Sequence, residues 1–472
     1  MSPSLEVLVD LARGALQGAP VLSVGIGPMP IAGLRALGAD VRGTISVVPA
    51  GGPPAPRSDA PLLWIEGAER DVFAHVVDGF APAIERAAGE VERFLARVDP
   101  RREAAVLAYL PVPRRVFGGR PFRAQDSDLS RALEDKSAGL LGAALPQLRY
   151  AALRWPCDRA RWSAIEAELN ATCLVVQALG LTGGGAGTRI VRSYEEACVR
   201  LPALGDGPLR VARFVDGVAG NVMGLVPPSG PIVTLPASVQ LVADDAGGSP
   251  VYAGNRLVPA DFSEAERGAI AKEVRDFGEG LRARGFVGPF GLDFLRDADG
   301  GRHYHDLNPR MNGAAGLVAE LVGEALGAGV APPLPALLLS GRSYDAAEAT
   351  AVQAALDAVV SARPRWRVFL AWTVDEPMSL ARPPASGRWR VEPEGPRVTW
   401  RDAELGVPLD PDAGLAHLRT SAPPGLRLRP GDRLVLGELS VPPALGEALW
   451  RVHGAAAPAR LLRALLTAEA PA

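Results

Sequence analysis

Residues 288–313, GPFGLDFLRDADGGRHYHDLNPRMNG, constrain this chain more than any other stretch. Two runs suited to strands, Phe290–Arg296 and Arg302–Asn308, flank Asp297–Gly301, and the Asp299-Gly300 step is a strong hairpin signal. With Asp299 and Gly300 as a two-residue loop, Ala298 faces Gly301, Asp293 faces Asp306 and Gly291 faces Asn308. Side chains alternate along a strand, so Asp293, Asp306 and Asn308 project from one face. In this register His303 and His305 fall on the opposite face.

Directly opposed carboxylates sit about 5 Å apart and destabilise a sheet unless something cancels the repulsion. A divalent cation is the natural agent. Carboxylate and amide oxygens without a cysteine suit magnesium, so Asp293, Asp306 and Asn308 are the candidate metal ligands. A transition-metal site on His303 and His305 would stand on the wrong face to share these ligands. The competing reading is an exposed acidic hairpin; Asn308-Pro309-Arg310, a rigid turn with a fixed cation just beyond the acids, argues against it. The preceding helix, with Ser263 and Glu266 as a capping box and Ile270, Val274, Phe277 and Leu281 on one face, positions the hairpin and ends at Gly285.

Upstream, LVVQALGLTGGGAGTRIV (residues 174–191) places two apolar strands around a glycine-rich loop containing Gly183, Gly184, Gly185, Gly187 and Thr188. Such a loop can bend over a phosphate chain and present backbone N–H groups to it, or serve as a flexible hairpin. It lacks the ending of a Walker loop, and no helix follows at once.

The chain has 472 residues, too many for one ordinary core, and 48% hydrophobic with 22% charged residues is the balance of a globular protein. A net charge of −3 predicts no general attraction to nucleic acid or anionic membrane, and no apolar run reaches membrane-spanning length. The N-terminus has acids early and no basic region before an apolar one, so no secretory signal is expected. Cys157, Cys173 and Cys198 lack metal-ligand spacing and fit a reducing cytoplasm. Two lysines, Lys136 and Lys272, stand among 48 arginines, which draws attention to each lysine.

Residues 20–26 read as a buried strand, with Gly25, Gly27 and Gly33 forming a tight turn rather than a dinucleotide fingerprint. A Pro/Gly loop at 49–61, a strand at Pro61–Glu66, a helical stretch from Ala68 to Val98 broken at Gly79 and Pro82, and a strand at Ala104–Val112 complete an α/β unit. The expected domains are residues 1–115, Rossmann-like; 116–344, a core of helices and antiparallel strands; and 345–472, a small α+β appendage. In the last, Arg365-Trp366-Arg367-Val368 recurs as Arg388-Trp389-Arg390-Val391. These repeats are expected to face solvent and core alternately rather than to stack nucleic-acid bases.

Together these motifs resemble the ATP-grasp superfamily over roughly residues 120–340. Asp293 followed by Asp306-Leu307-Asn308-Pro309-Arg310 matches the order and separation of its late acidic strand pair. The resemblance implies an α/β and α+β multidomain fold with an ATP-grasp core, and ATP and Mg2+ as cofactors. It assigns Lys136 as the first phosphate-contacting lysine, the glycine loop as the triphosphate cover, and Arg213-Phe214-Val215 as the hinge whose backbone meets adenine. Asn221–Gly224 followed by Gln240, and Asp306–Gly313, are similar to the branch of pheganomycin-type peptide ligases, which carry a domain on each side of the core. Three departures stand out. Gln177 replaces the usual lysine on the strand entering the loop, Ala219 stands near the place of the ribose-binding glutamate, and Asp306 replaces a glutamate. Arg189 is expected to supply the missing positive charge.

The activity implied is ADP-forming ligation of a small carboxylate, an amino acid or peptide, to an amine through an acyl phosphate. Asn308, Arg189 and Arg310 would act at the reacting groups, with Arg310 meeting the substrate carboxylate or acyl phosphate, or forming a structural ion pair. Secondary metabolism, a cytoplasmic location and a homodimer are further expectations of the resemblance. The alternative is a nucleotide-binding protein without ligase activity, motivated by Gln177 and the absent ribose glutamate. Biotin carboxylation finds no biotinyl-lysine segment in the sequence.

Overall fold

The computed structural model describes residues 3–26, 31–50, 58–69, 78–136, 139–179, 185, 187–244, 249–327, 333–339, 341–395, 397–405, 407–410, 412–422 and 425–468. Gly27, most of the 49–61 loop and residues 70–77 of the Ala68–Val98 stretch lie outside them. The N-terminal strands β1 (Pro20–Gly25), β2 (Asp40–Val48), β3 (Leu62–Glu66) and β4 (Ala105–Ala108) form a sheet of order β3-β2-β1-β4. All its pairings are parallel. Val21–Gly25 of β1 and Gly43–Val48 of β2 are buried without interruption, as a sheet covered on both faces requires. The helical stretch breaks at Ala87, between Phe80–Arg86 and Ala88–Val98. Pro82 is tolerated because it lies in the first turn, where its missing N–H has no partner to lose.

A small antiparallel sheet follows: β5 (Tyr150–Arg154), β6 (Leu174–Ala178), β7 (Thr188–Val191) and β8 (Pro208–Arg213), in the order β5-β8-β6-β7. Its inner face buries Trp162, Ile165, Val176, Val191 and Val211.

The large antiparallel sheet begins with β9 (Val218–Val226), β10 (Val233–Thr234), β11 (Ser238–Asp244), β12 (Pro250–Leu257), β13 (Gly288–Arg296) and β14 (Arg302–Asn308). It continues without interruption into β15 (Arg365–Thr373), while β16 (Met378–Leu380) stands apart, and then takes in β17 (Gly387–Glu392), β18 (Arg397–Asp402) and β19 (Leu415–Thr420). Beyond β20 (Leu426–Leu428), which pairs with β16, comes β21 (Arg433–Val441), beside β15. The sheet thus runs β14-β13-β9-β11-β12-β15-β21-β19-β17-β18, and one hydrogen-bonded surface joins the core to the C-terminal segment. The Glu264–Arg282 helix packs Ile270, Val274, Phe277 and Leu281 beneath β9 and β13, with the expected capping box at Ser263 and Glu266.

Two sequence expectations are corrected. Arg365 and Arg367 do not face solvent: they are 3% and 4% exposed, because β15 lies inside the sheet with the Gly313–Leu326 helix against one face. Arg365 pairs with Glu324 at 2.9 Å and Arg367 with Glu320 at 2.8 Å, both carboxylates coming from that helix. The second copy behaves as expected, with Trp389 buried and Arg390 exposed.

The hairpin is also built differently. Asp297 N–H donates to the Gly301 carbonyl, leaving a three-residue loop, with Gly300 at φ +81° taking the left-handed position. That shift alone would misalign the acids. A bulge at His305 cancels it, since Asp293 pairs with Asp306 while Phe294 pairs with Tyr304.

Candidate active site

The bulge decides which side chains share a face. Beyond it, Tyr304 turns into the core against Phe294 (ring centroids 5.5 Å apart), while His303, opposite Leu295, turns to the side of Asp293. The sequence placed His303 on the far face; the extra residue reverses it. Its Nε2 lies 2.7 Å from Asp297 Oδ2, so it is committed to the turn rather than to the acid pair.

Asp293, Asp306 and Asn308 come together on the floor of a cleft of about 690 Å³ lined by residues of the small and large sheets. Asp293 accepts hydrogen bonds from Asn221 and from Asn308 Nδ2 at 3.2 Å. Burial, reinforced by the charge of Asp306, pushes its carboxyl up to about 6 despite hydrogen bonds from Asn221, Gln240 and Asn308. Among the described residues Asp306 Oδ1 is buried without a hydrogen-bond partner, and Lys136 Nζ lies 3.5 Å from Oδ2. Two crowded carboxylates, one with a bare oxygen, beside an amide that can turn its oxygen inward, fit a hard divalent cation such as magnesium.

A belt of amides supports this floor. Asn312 Nδ2 donates to Asn221 Oδ1 at 2.8 Å, while Asn312 Oδ1 caps the Gly313–Leu326 helix by accepting from Ala314 and Ala315 N–H. Asn312 therefore fixes the helix start against the acid pair. Gly313 must be glycine here, since a Cβ would collide with the Tyr252 hydroxyl.

The opposite wall comes from the small sheet. Gln177 and Val175 on β6, Thr188 and Ile190 on β7, and Arg210 and Ala212 on β8 line the cleft. With Ala219, Val242 and Leu295 across from them, they form a slot with an apolar stretch. Gly183 and Gly184 lie outside the described residues. Gly185, at φ +87°, lines the cleft with its α-carbon against the Pro250 backbone, where a side chain would not fit. Gly187 closes the hairpin through its carbonyl, 2.9 Å from Ala178 N.

Arg213, Phe214 and Val215, the expected hinge, line the cleft, and Asp216 joins them. The Phe214 N–H, however, donates to the Cys173 carbonyl at 2.8 Å, which removes it from the edge offered to a base.

Two further expectations change. Arg189 alternates with Thr188 and Ile190, so it takes the face of β7 away from the cleft, and its Nη1 donates to the Thr188 carbonyl at 2.8 Å. In this position its side chain is turned from the cleft that the missing charge would serve. Arg310 lines the cleft but is held by Glu134 at 3.0 Å, the ion-pair alternative weighed for it. Burial raises the Glu134 carboxyl, with Arg310 opposing the rise. The sequence reading missed Arg210 and Glu134. Alternation from Gln177 through its β8 partner would have found Arg210, but that pairing is not readable from one strand.

No protein-family model matches the chain, and no curated protein sequence matches it. Solved structures do. Carboxyaminoimidazole ribonucleotide synthase from Aspergillus clavatus, complexed with ATP, superposes with a TM-score of 0.57 at 12% identity, covering 94% of this chain and 99% of that one. Biotin carboxylase from Campylobacter jejuni, in a β,γ-ATP complex, gives 0.53 at 15% identity, over 89% of this chain and 86% of that one. The biotin carboxylase domain of Hydrogenobacter thermophilus 2-oxoglutarate carboxylase, a dimer with MgADP, ADP and bicarbonate, gives 0.55 at 13%, over 92% and 89%. The architecture of this chain, a parallel N-terminal sheet followed by two sheets enclosing a cleft, is the ATP-grasp fold.

Proposed function

We propose that this chain is an ADP-forming carboxylate–amine ligase that uses ATP and magnesium. The observation that carries the reading is the facing pair Asp293 and Asp306, with a bare buried oxygen on Asp306, Asn308 alongside and Lys136 at 3.5 Å, on the floor of a cleft between two sheets. Asp293, Asp306 and Asn308 would hold magnesium, which when bound neutralises charge on the transferring phosphoryl group. Lys136 and the backbone of Gly185 and Thr188 would bind phosphate oxygens, and the Val175, Ile190, Ala212 and Leu295 side chains would enclose the base. A carboxylate oxygen attacks the γ-phosphorus and ADP leaves; the amine then attacks the acyl carbon, phosphate leaves and the amine loses a proton. The protein contributes position and charge rather than a nucleophile.

The finer reading is an amino acid or peptide as the carboxylate, as in the pheganomycin-type ligases, within secondary metabolism. Asn221 and Gln240, both hydrogen-bonded to Asp293, support that branch. A homodimer is part of the proposal, as the Hydrogenobacter domain is a dimer. The expected domains 1–115, 116–344 and 345–472 are proposed as the functional units. A second reading, nucleotide binding without ligation, draws on the Glu134–Arg310 pair, which withholds Arg310 from a substrate carboxylate.

The test is phosphate release from ATP with Mg2+ over a panel of amino acids, dipeptides and bicarbonate, with and without amines. Release that requires one carboxylate supports ligation. Tight nucleotide binding with no carboxylate-dependent release across the panel favours the second reading.

A further inference from the structure

Arg210 is a buried cation whose hydrogen bonds go to neutral groups. It is 7% exposed, and among the described residues no carboxylate forms an ion pair with it. Its Nη2 donates to Gln177 Oε1 at 2.6 Å and to the His305 carbonyl at 2.9 Å, and its guanidinium carbon lies 5.7 Å from the centre of the Tyr150 ring. These are neutral partners. A guanidinium taken out of water on such terms is costly unless an anion completes it. Burial indeed pulls its affinity for its proton down, with Asp306 and Tyr150 opposing.

Its position says which anion. Arg210 faces Gln177 directly across the β6–β8 pairing, beside the strand end that enters the glycine loop, and lines the cleft with its guanidinium on the His305 carbonyl, next to Asp306. Gln177 is neutral and spends its Oε1 on Arg210 and its Nε2 on Thr188 Oγ1 at 3.4 Å, so it orients the guanidinium rather than bearing charge itself. Planar N–H groups held at a fixed angle suit phosphate oxygens in a bidentate manner.

We propose that Arg210 binds the polyphosphate of a nucleotide from the small-sheet side of the cleft, with Gln177 as its positioning residue. This rests on the nucleotide-binding reading above and adds to it a second cation, carried by β8, beside the acid pair. Lys136 and Arg210 then approach the phosphate chain from two sides.

The experiment is calorimetric titration of the full chain with MgADP, ADP and adenosine, for wild type, Arg210→Gln and Arg210→Lys. Loss of a charge-assisted contact predicts a Kd for ADP and MgADP raised about 10- to 100-fold in Arg210→Gln. Adenosine affinity stays unchanged, and Arg210→Lys, which keeps the charge without the bidentate fork, recovers part of the loss. Gln177→Ala weakens ADP binding by a smaller factor. Equal weakening of adenosine and ADP would mean a structural role and overturn the proposal, as would unchanged ADP affinity in Arg210→Gln with wild-type binding intact. If wild type binds none of the three, the nucleotide reading fails and the Arg210 assignment with it.

Discussion

Replacing Asp293 by asparagine should make the nucleotide-free protein more stable while removing its activity. Asp293 and Asp306 are register partners on adjacent antiparallel strands. Carboxylates so placed lie about 5 Å apart, and at an effective dielectric near 20 their repulsion is about 3 kcal/mol. The carboxyl of Asp293 is pushed from 3.8 up to about 6, first by burial and then by the charge of Asp306, and each pH unit is worth about 1.4 kcal/mol. Water reaching the cleft, and the hydrogen bonds that an asparagine makes less well to Asn221 and Asn308, reduce the net gain to about 1–2 kcal/mol. The sign follows from linkage. A carboxyl with a raised folded-state pKa binds its proton more tightly in the folded chain, so metal-free wild type loses stability as pH climbs from about 4 to about 6 and stays penalised above that. Asp293→Asn lacks that loss. Urea denaturation at pH 5 and pH 8 with a chelator present should show the variant gaining on wild type at pH 8 more than at pH 5, and ATP turnover with Mg2+ should vanish. A variant less stable than wild type at pH 8, or one that still turns over ATP, would refute the reasoning.

Other consequences are as direct. Arg365→Met leaves Glu324 buried beside a lost partner and should cost about 3–5 kcal/mol in thermal or urea unfolding, while Glu324→Met with Arg365→Met returns most of it; a double variant as unstable as the single would contradict this. His417 is buried, which alone lowers its pKa, but Glu320 and Glu324, the latter 3.3 Å from Nδ1, raise it overall. Its stabilisation is therefore complete below about pH 6.5 and declines as pH rises through the folded value, so His417→Gln should flatten the alkaline decline in melting temperature. Arg189→Ala should leave the KM for ATP unchanged, because its side chain is on the face of β7 away from the cleft; a several-fold rise would return it to the site.

Local signals carried much of the fold. The capping box at Ser263 and Glu266 and the apolar stripe behind it needed only helical periodicity, and the strands on either side of the glycine loop needed only their apolar runs. The opposition of Asp293 and Asp306 was legible for a mixed reason: the loop is one residue longer than the Asp-Gly step suggested, and the bulge at His305 restores the register. The same bulge carried His303 to the other face, which a uniform alternation has no means of expressing. Arg210, Glu134 and the Arg365–Glu324 pair were hidden because each depends on a pairing between elements far apart in the chain. Charged residues in a strand read as solvent-facing until the covering helix is known. Arg365 and Arg367 are buried only because Glu320 and Glu324 arrive from the Gly313–Leu326 helix.

The proposed chemistry requires a cation held between the two facing acids together with a phosphate tail. Crystals grown with Mn2+ and a non-hydrolysable ATP analogue, examined by anomalous scattering, measure this directly. The ion is expected between Asp293 and Asp306, touching Asp306 Oδ1 and phosphate oxygens, with Lys136 drawn from Asp306 toward the phosphates. An ion bound elsewhere, or nucleotide seated with those carboxylates still bare, would contradict it.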